Sequence, residues 1–352
     1  MSPRKRQPRW VRAVELGAAV AGAAAAATAA GLAAQRTVAK NRARRDDVGF
    51  GSVRADGHTV RTDDGVNLHV EVDEADESAD TDAPTLVFVH GYLLSMDSWH
   101  FQRAALRGRH RMVLFDQRSH GRSGRSDAAH STIEQLGRDL GEVLAAVAQT
   151  GPLVLVGHSM GGMTLMSLAE QLPELVAERV VGTAFIATSA GNVGRLLPGA
   201  PGRILDALQP FVIGALAKLP VVVETGRRSN AFAMTRRLAF GGPVPDSYVV
   251  FVDEMISTTP SRVVWDFLPA LRLHDRYLAL AAYADAPSVV IVGAQDAILP
   301  ASHAQRLAEE LGGVPLLELD SAGHMVMIEQ PEQVTEALED LVERALAYGA
   351  GR

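Results

Sequence analysis

The sequence has 352 residues, 47% of them hydrophobic and 21% charged, with a formal net charge of −7. That composition supplies a large core and excludes disorder across the chain; the absence of cysteine excludes disulfides, thiolate metal sites and a thiol nucleophile. Residues 1–45 carry +9, ten Lys/Arg against Glu15, which leaves −16 on the remainder, and so acidic a body argues against nucleic acid as its partner.

The first predicted element is an Ala-rich helix. Nineteen uncharged residues run from Leu16 to Ala34, and as a helix they span about 28 Å, close to the ~30 Å of a bilayer core. Alanine favours the helix, basic clusters flank both ends, and only Leu16, Val20 and Leu32 are strongly lipophilic. We expect a basic N-terminal segment, residues 1–47, with a membrane helix at 16–34 and a membrane-anchored protein. An export signal or a soluble or cytoplasmic tail are the alternatives, and the similarly charged flanks leave orientation open.

The body starts near Val48 with a hairpin: Asp64-Gly65 separates Thr59–Arg61 from Val66–Val72, where apolar and polar residues alternate. Short apolar runs follow at Leu86–Val89, Met112–Phe115, Leu153–Val156, Val180–Ile186, Val289–Val292 and Leu316–Leu319. Between them Thr132–Ala148, Met160–Leu172, His303–Leu311 and Glu332–Ala347 carry apolar residues at helical spacing. The alternation predicts an α/β fold, a mostly parallel central sheet with helices on both faces. It breaks after Ser189. Residues 190–286 are apolar and helical without buried-strand runs, which predicts a helical cap inserted after the sixth strand. The core then falls into 48–189 and 287–352. Within the insert, Ile204–Val223 is apolar enough to suggest a second span, but Asp206, Pro210, Lys218 and Pro220 interrupt it, and a lid helix pair is expected.

Gly157-His158-Ser159-Met160-Gly161 lies between a strand run and a helix. A serine on such a turn is exposed, and the helix N-terminus aims its N–H groups at it. Its hydroxyl needs a base. His324 follows the last strand run and precedes the last helix, at the same sheet edge. His158 adjoins the serine but points along the turn, while His58, His69, His110, His130, His274 and His303 read as solvated loop or helix positions. Asp296 directly follows the run at 289–292 and can fix the imidazole tautomer; Asp320, four residues before His324, is the rival acid. The oxyanion donors expected are the backbone N–H groups of Met160 and of Tyr92, on the His90-Gly91-Tyr92 loop. The Tyr92 ring is a candidate wall of the pocket.

These pieces, with Asp116-Gln117-Arg118-Ser119-His120-Gly121-Arg122-Ser123, Gly293-Ala294-Gln295-Asp296 and Gly323-His324-Met325, resemble the α/β-hydrolase family over residues 85 to about 345. The resemblance implies that the 116–123 segment braces loops near the site, so Asp116, Arg118 and His120 are read as structural. Serine at the elbow disfavours relatives that use aspartate, such as epoxide hydrolases and haloalkane dehalogenases. The expected activity is hydrolysis of an apolar carboxylic ester or thioester through an acyl-enzyme, without cofactor or metal, on a small-molecule or lipid-like acyl substrate. C–C bond hydrolysis, cofactor-free perhydrolysis or acyl transfer on the same triad, and a non-enzymatic ligand-binding role, are the alternatives. Oligomeric state is left open.

Overall fold

The computed structural model describes residues 35–40, 43, 49–77, 83–191, 193 and 232–351. Eight strands form one sheet: β1 (Gly57–Arg61), β2 (Asn67–Asp73), β3 (Thr85–Val89), β4 (Met112–Phe115), β5 (Leu153–His158), β6 (Val180–Ile186), β7 (Ser288–Gly293) and β8 (Leu316–Leu319). Their order is β1-β2-β4-β3-β5-β6-β7-β8. β1 and β2 pair antiparallel, as do β2 and β4; from β4 to β8 every pairing is parallel. The expected fold class is therefore the observed one.

The continuous apolar runs have a direct cause. Strands β3, β5 and β7 are buried on both faces, so both side-chain sets must be apolar. Leu86, Phe88, Val154, Val156, Val289 and Ile291 face one core, and Val87, Val89, Leu153, Leu155, Val290 and Val292 face the other. Four of the helices are α1 (His100–Leu106), α2 (Ile133–Val147), α3 (Met160–Gln171) and α4 (Pro173–Arg179). The first core is covered by Leu106 of α1 and by the last helix, the second by Leu140, Val143 and Leu144 of α2 and Leu165, Met166 and Leu168 of α3. Thr132 caps α2, its hydroxyl accepting from Gln135 N–H at 3.1 Å.

After β6, residues 232–239 are helical, followed by α5 (Asp246–Thr258) and α6 (Ser261–Arg272). Val263 and Phe267 of α6 pack on Ile133, Leu136, Met160 and Met163, which seats this part of the insert on the N-terminal ends of α2 and α3. The chain closes with α7 (Ala301–Glu310), α8 (Val326–Glu329) and α9 (Pro331–Gly349).

One expectation is corrected. The membrane helix expected at 16–34 lies outside the described residues, as does 204–223, and among the described residues no helix is long and apolar enough to cross a membrane. The 19-residue α9 shows why: Glu332, Glu336, Glu339, Asp340 and Glu343 interrupt it, while Val334, Leu338, Leu341 and Val342 pack on the sheet. The membrane-anchored localisation is therefore withdrawn.

Candidate active site

Ser159, Asp296 and His324 stand on the loops that leave the C-terminal ends of β5, β7 and β8, where open α/β sheets bind ligands. Ser159 has φ 51° and ψ −118°, a left-handed backbone that costs a non-glycine residue roughly 1–3 kcal/mol. The surroundings enforce it. Its N–H donates to Ile186 O at 2.9 Å. Its carbonyl accepts from Gly162 N–H and Met163 N–H, at 2.9 and 3.3 Å, and from the Thr188 hydroxyl at 2.7 Å. A Cβ at Gly161 would collide with Val89 O, so glycine lets α3 begin directly against β3.

The three side chains form one chain of hydrogen bonds. The Ser159 hydroxyl lies 3.1 Å from His324 Nε2, and His324 Nδ1 lies 2.7 Å from Asp296 Oδ2. The other carboxylate oxygen, Oδ1, accepts from Ile298 N–H and Leu299 N–H, each at 2.8 Å. Burial by itself raises the Asp296 pKa. The His324 ring and those two N–H donors outweigh it and hold the carboxyl below its ordinary value, so it stays ionised and accepts the Nδ1 proton. Nε2 is then left as the acceptor facing the serine. Asp320, the rival acid, is exposed on the exit of β8.

Of the two expected oxyanion donors, one stands at a helix start and the other in a turn. Met160 is the first residue of α3. Tyr92 sits in a turn closed by Leu94 N–H onto Gly91 O at 3.2 Å, with Leu93 at φ 62°. That loop is pinned from below: His90 Nδ1–H donates to Gly91 O at 2.8 Å, and Nε2 accepts from Gln117 N–H at 2.9 Å. The Tyr92 hydroxyl donates to Val264 O on α6 at 2.5 Å, so its ring joins the loop to the insert.

A cavity of about 190 Å³ opens over the serine, walled by Tyr92, Leu94, Met163, Val252, Ile256 and Leu271 among others. Among the described residues its only ionisable linings besides Tyr92 are His158 and His324. Among the described residues no cluster of His, Asp and Glu could hold a metal ion.

The brace implied by 116–123 is present. Asp116 accepts from Met96 N–H at 2.7 Å and Arg122 N–H at 2.8 Å. Arg118 lies between Asp139 and Asp64, at 2.6 and 2.7 Å. Two features were not read from sequence. His158 is fully buried and its Nε2–H donates to His324 O at 3.0 Å, joining the turn of Ser159 to the loop of His324. His274, expected in solvent, is buried beside Arg276, which donates to its Nδ1 at 3.1 Å; it stands between an exposed Leu273 and charged Asp275 and Arg276, so no local pattern marks the burial.

These histidines make acid stability predictable. Burial pushes His158 and His120 down to about 3 and His274 down to about 4, with neighbouring positive or imidazole groups adding to it. Unfolded, each titrates near 6.5, so acid protonates the unfolded chain first. Their contribution is complete above about pH 6.5 and is lost as pH falls toward 4, by on the order of 1 kcal/mol per histidine per pH unit. Urea unfolding at pH 7 and pH 5 should differ accordingly; equal free energies would show that these rings are not held neutral.

The fold has recognisable counterparts. A family model for the alpha/beta hydrolase family matches residues 86–337. The chain is 28% identical over 264 residues to the dihydrolipoyllysine-residue acetyltransferase component of an acetoin cleaving system of Pseudomonas putida, covering 72% of this chain but only 62% of that protein. It is 27% identical over 285 residues to an uncharacterized hydrolase of Bacillus subtilis, covering 80% of this chain and 96% of that one. The fold matches that of a thermophilic esterase from Thermogutta terrifontis with a TM-score of 0.64 at 22% identity, over 83% of this chain and 99% of that one. A match of this extent establishes that the chain belongs to the alpha/beta hydrolase family and is an enzyme.

Proposed function

We propose that the enzyme hydrolyses a carboxylic ester or thioester with an apolar acyl or alcohol part, through an acyl-enzyme on Ser159. The observation that carries this is the hydrogen-bonded series Ser159–His324–Asp296 at the floor of a cavity that no charged side chain lines among the described residues. The esterase of similar fold is consistent with it.

In this mechanism Ser159 Oγ attacks the carbonyl carbon while His324 Nε2 takes its proton. The carbonyl oxygen becomes an oxyanion, held by the N–H groups of Tyr92 and Met160. The tetrahedral centre collapses, the carbon–oxygen or carbon–sulfur bond breaks, and His324 returns the proton to the leaving alcohol or thiol. Water, deprotonated by His324, then attacks the acyl-enzyme and releases the acid and the free serine. Asp296 fixes the imidazole throughout. Residues 190–286 serve as the cap between the two core portions, 48–189 and 287–352; Val252 and Ile256 of α5 and Leu271 of α6 form its face toward the substrate.

A fluorophosphonate tests the reading, because it reacts with a base-activated serine at such a centre. It should add one phosphonyl group, mapped by mass spectrometry to Ser159. In a panel of p-nitrophenyl esters, neutral apolar acyl chains should be turned over and acyl chains ending in a carboxylate should not. Labelling elsewhere, or none, would sink the proposal.

A further inference from the structure

We infer that Glu329 is a positioning residue, which sets the His324 imidazole by tying its loop to the segment that leads into the helix over the cavity. The inference rests on His324 being the base.

Glu329 ends α8, five residues past His324, and its carboxylate reaches two separate stretches of chain. Oε1 accepts from Gly323 N–H at 2.6 Å. Oε2 accepts from Gly241 N–H at 2.9 Å and from Gly242 N–H at 3.2 Å. No ion pair reaches it among the described residues, so its charge is met by backbone N–H dipoles. A second rung lies beside it: Met325 N–H donates to Ala239 O at 2.9 Å. The residues on both sides of His324 are therefore fastened to residues 239–242, one through Glu329 and one directly.

The two stretches touch backbone to backbone. A Cβ at Gly323 would run into Gly241 N, and one at Gly242 into Ser321 O. On its other side the His324 loop rests on the end of β7, where Gln295 N–H donates to Ala322 O at 2.8 Å. The base is thus held between the strand end that carries Asp296 and the segment running into α5. Because Val252 and Ile256 of α5 wall the cavity, the placement of the base is linked to the placement of that wall.

Glu329→Gln tests it. The amide keeps the shape but presents a donor where one carboxylate oxygen accepted, so one stretch meets an N–H facing an N–H. Misplacing a catalytic group by about 1 Å can cost on the order of 100-fold in rate. With p-nitrophenyl acetate, kcat should fall about 10- to 100-fold with KM changed less than about twofold, and fluorophosphonate labelling should slow in parallel. The decisive readout is the same substitution in a His324→Ala background: residual turnover per folded molecule should fall by no more than about twofold, because groups that act through one another do not add.

Equal fractional losses in both backgrounds, or wild-type kcat in Glu329→Gln, would overturn the inference. If Glu329→Gln does not fold, Glu329→Asp replaces it, too short to reach both stretches at once, with the same pattern expected. Failure of the underlying reading is separate: His324→Ala would then turn over ester at the wild-type rate whatever occupies position 329.

Discussion

Ser159→Ala is expected to lower kcat/KM toward a p-nitrophenyl ester by on the order of 10⁴- to 10⁶-fold while leaving the thermal midpoint almost where it was. The size of the loss follows from what the hydroxyl does. Without it no covalent intermediate forms, and His324 has no nucleophile to activate. Whatever turnover remains comes from the oxyanion donors and from binding. The unchanged stability follows from how the turn is held. Among the described residues the Ser159 hydroxyl bonds only to His324, whereas the backbone is fixed by its bonds to Ile186, Gly162, Met163 and Thr188, all of which alanine keeps. Alanine also bears the same left-handed strain, so that term cancels. Steady-state kinetics with a denaturation curve on the same preparation check both halves. A variant within tenfold of wild type would remove Ser159 from the chemistry.

Arg118→Leu should show the opposite profile, a large loss of stability. The guanidinium is fully buried, with Asp139 against it and Asp64 beyond. These partners hold Arg118 charged, well above its ordinary pKa, despite burial. Asp139 is raised, because burial outweighs even the guanidinium beside it. Removing Arg118 therefore leaves a buried carboxyl that must take up a proton or stay charged without compensation. Breaking one side of such a pair costs about 3–5 kcal/mol. In a chain of this size that should lower the melting midpoint by roughly 4–7 °C. The double variant Arg118→Leu/Asp139→Leu should recover part of the loss, since no buried charge remains. Urea unfolding measures all three; a single-variant loss below about 1 kcal/mol would mean that the pair is not buried as described.

The sheet was readable because burial on two faces leaves an unmistakable run. Met112–Phe115 and Val180–Ile186, buried throughout, have the same bounds in the sequence pattern and in the fold. The site was readable for a related reason. Ser159, Asp296 and His324 each follow a strand run closely, so their positions in space come from the order of strands rather than from any long-range contact. Glu329 shows where this stops. Its partners Gly241 and Gly242 lie 88 and 87 residues away, inside a stretch with no strand pattern, and nothing local announces the meeting. His158 was seen but not understood: its bond to the His324 carbonyl spans 166 positions. The Ala-rich stretch misled for the reverse reason. Uncharged length is a local property, and it was read as an anchor.

The distance in sequence between serine and base also orders events in time. Ser159 and His324 are 165 residues apart, and a ribosome adding about 5–20 residues per second needs roughly 10–30 s to make that interval. For most of it the strained turn can have neither Asp296 nor His324 beside it. The pairing that brings them in, Ile186 with Ile291, closes a loop of about a hundred residues, the kind of non-local contact that slows folding. On the proposed mechanism a nascent chain therefore carries Ser159 unarmed, and activity should appear with the late strands β7 and β8 rather than grow with chain length.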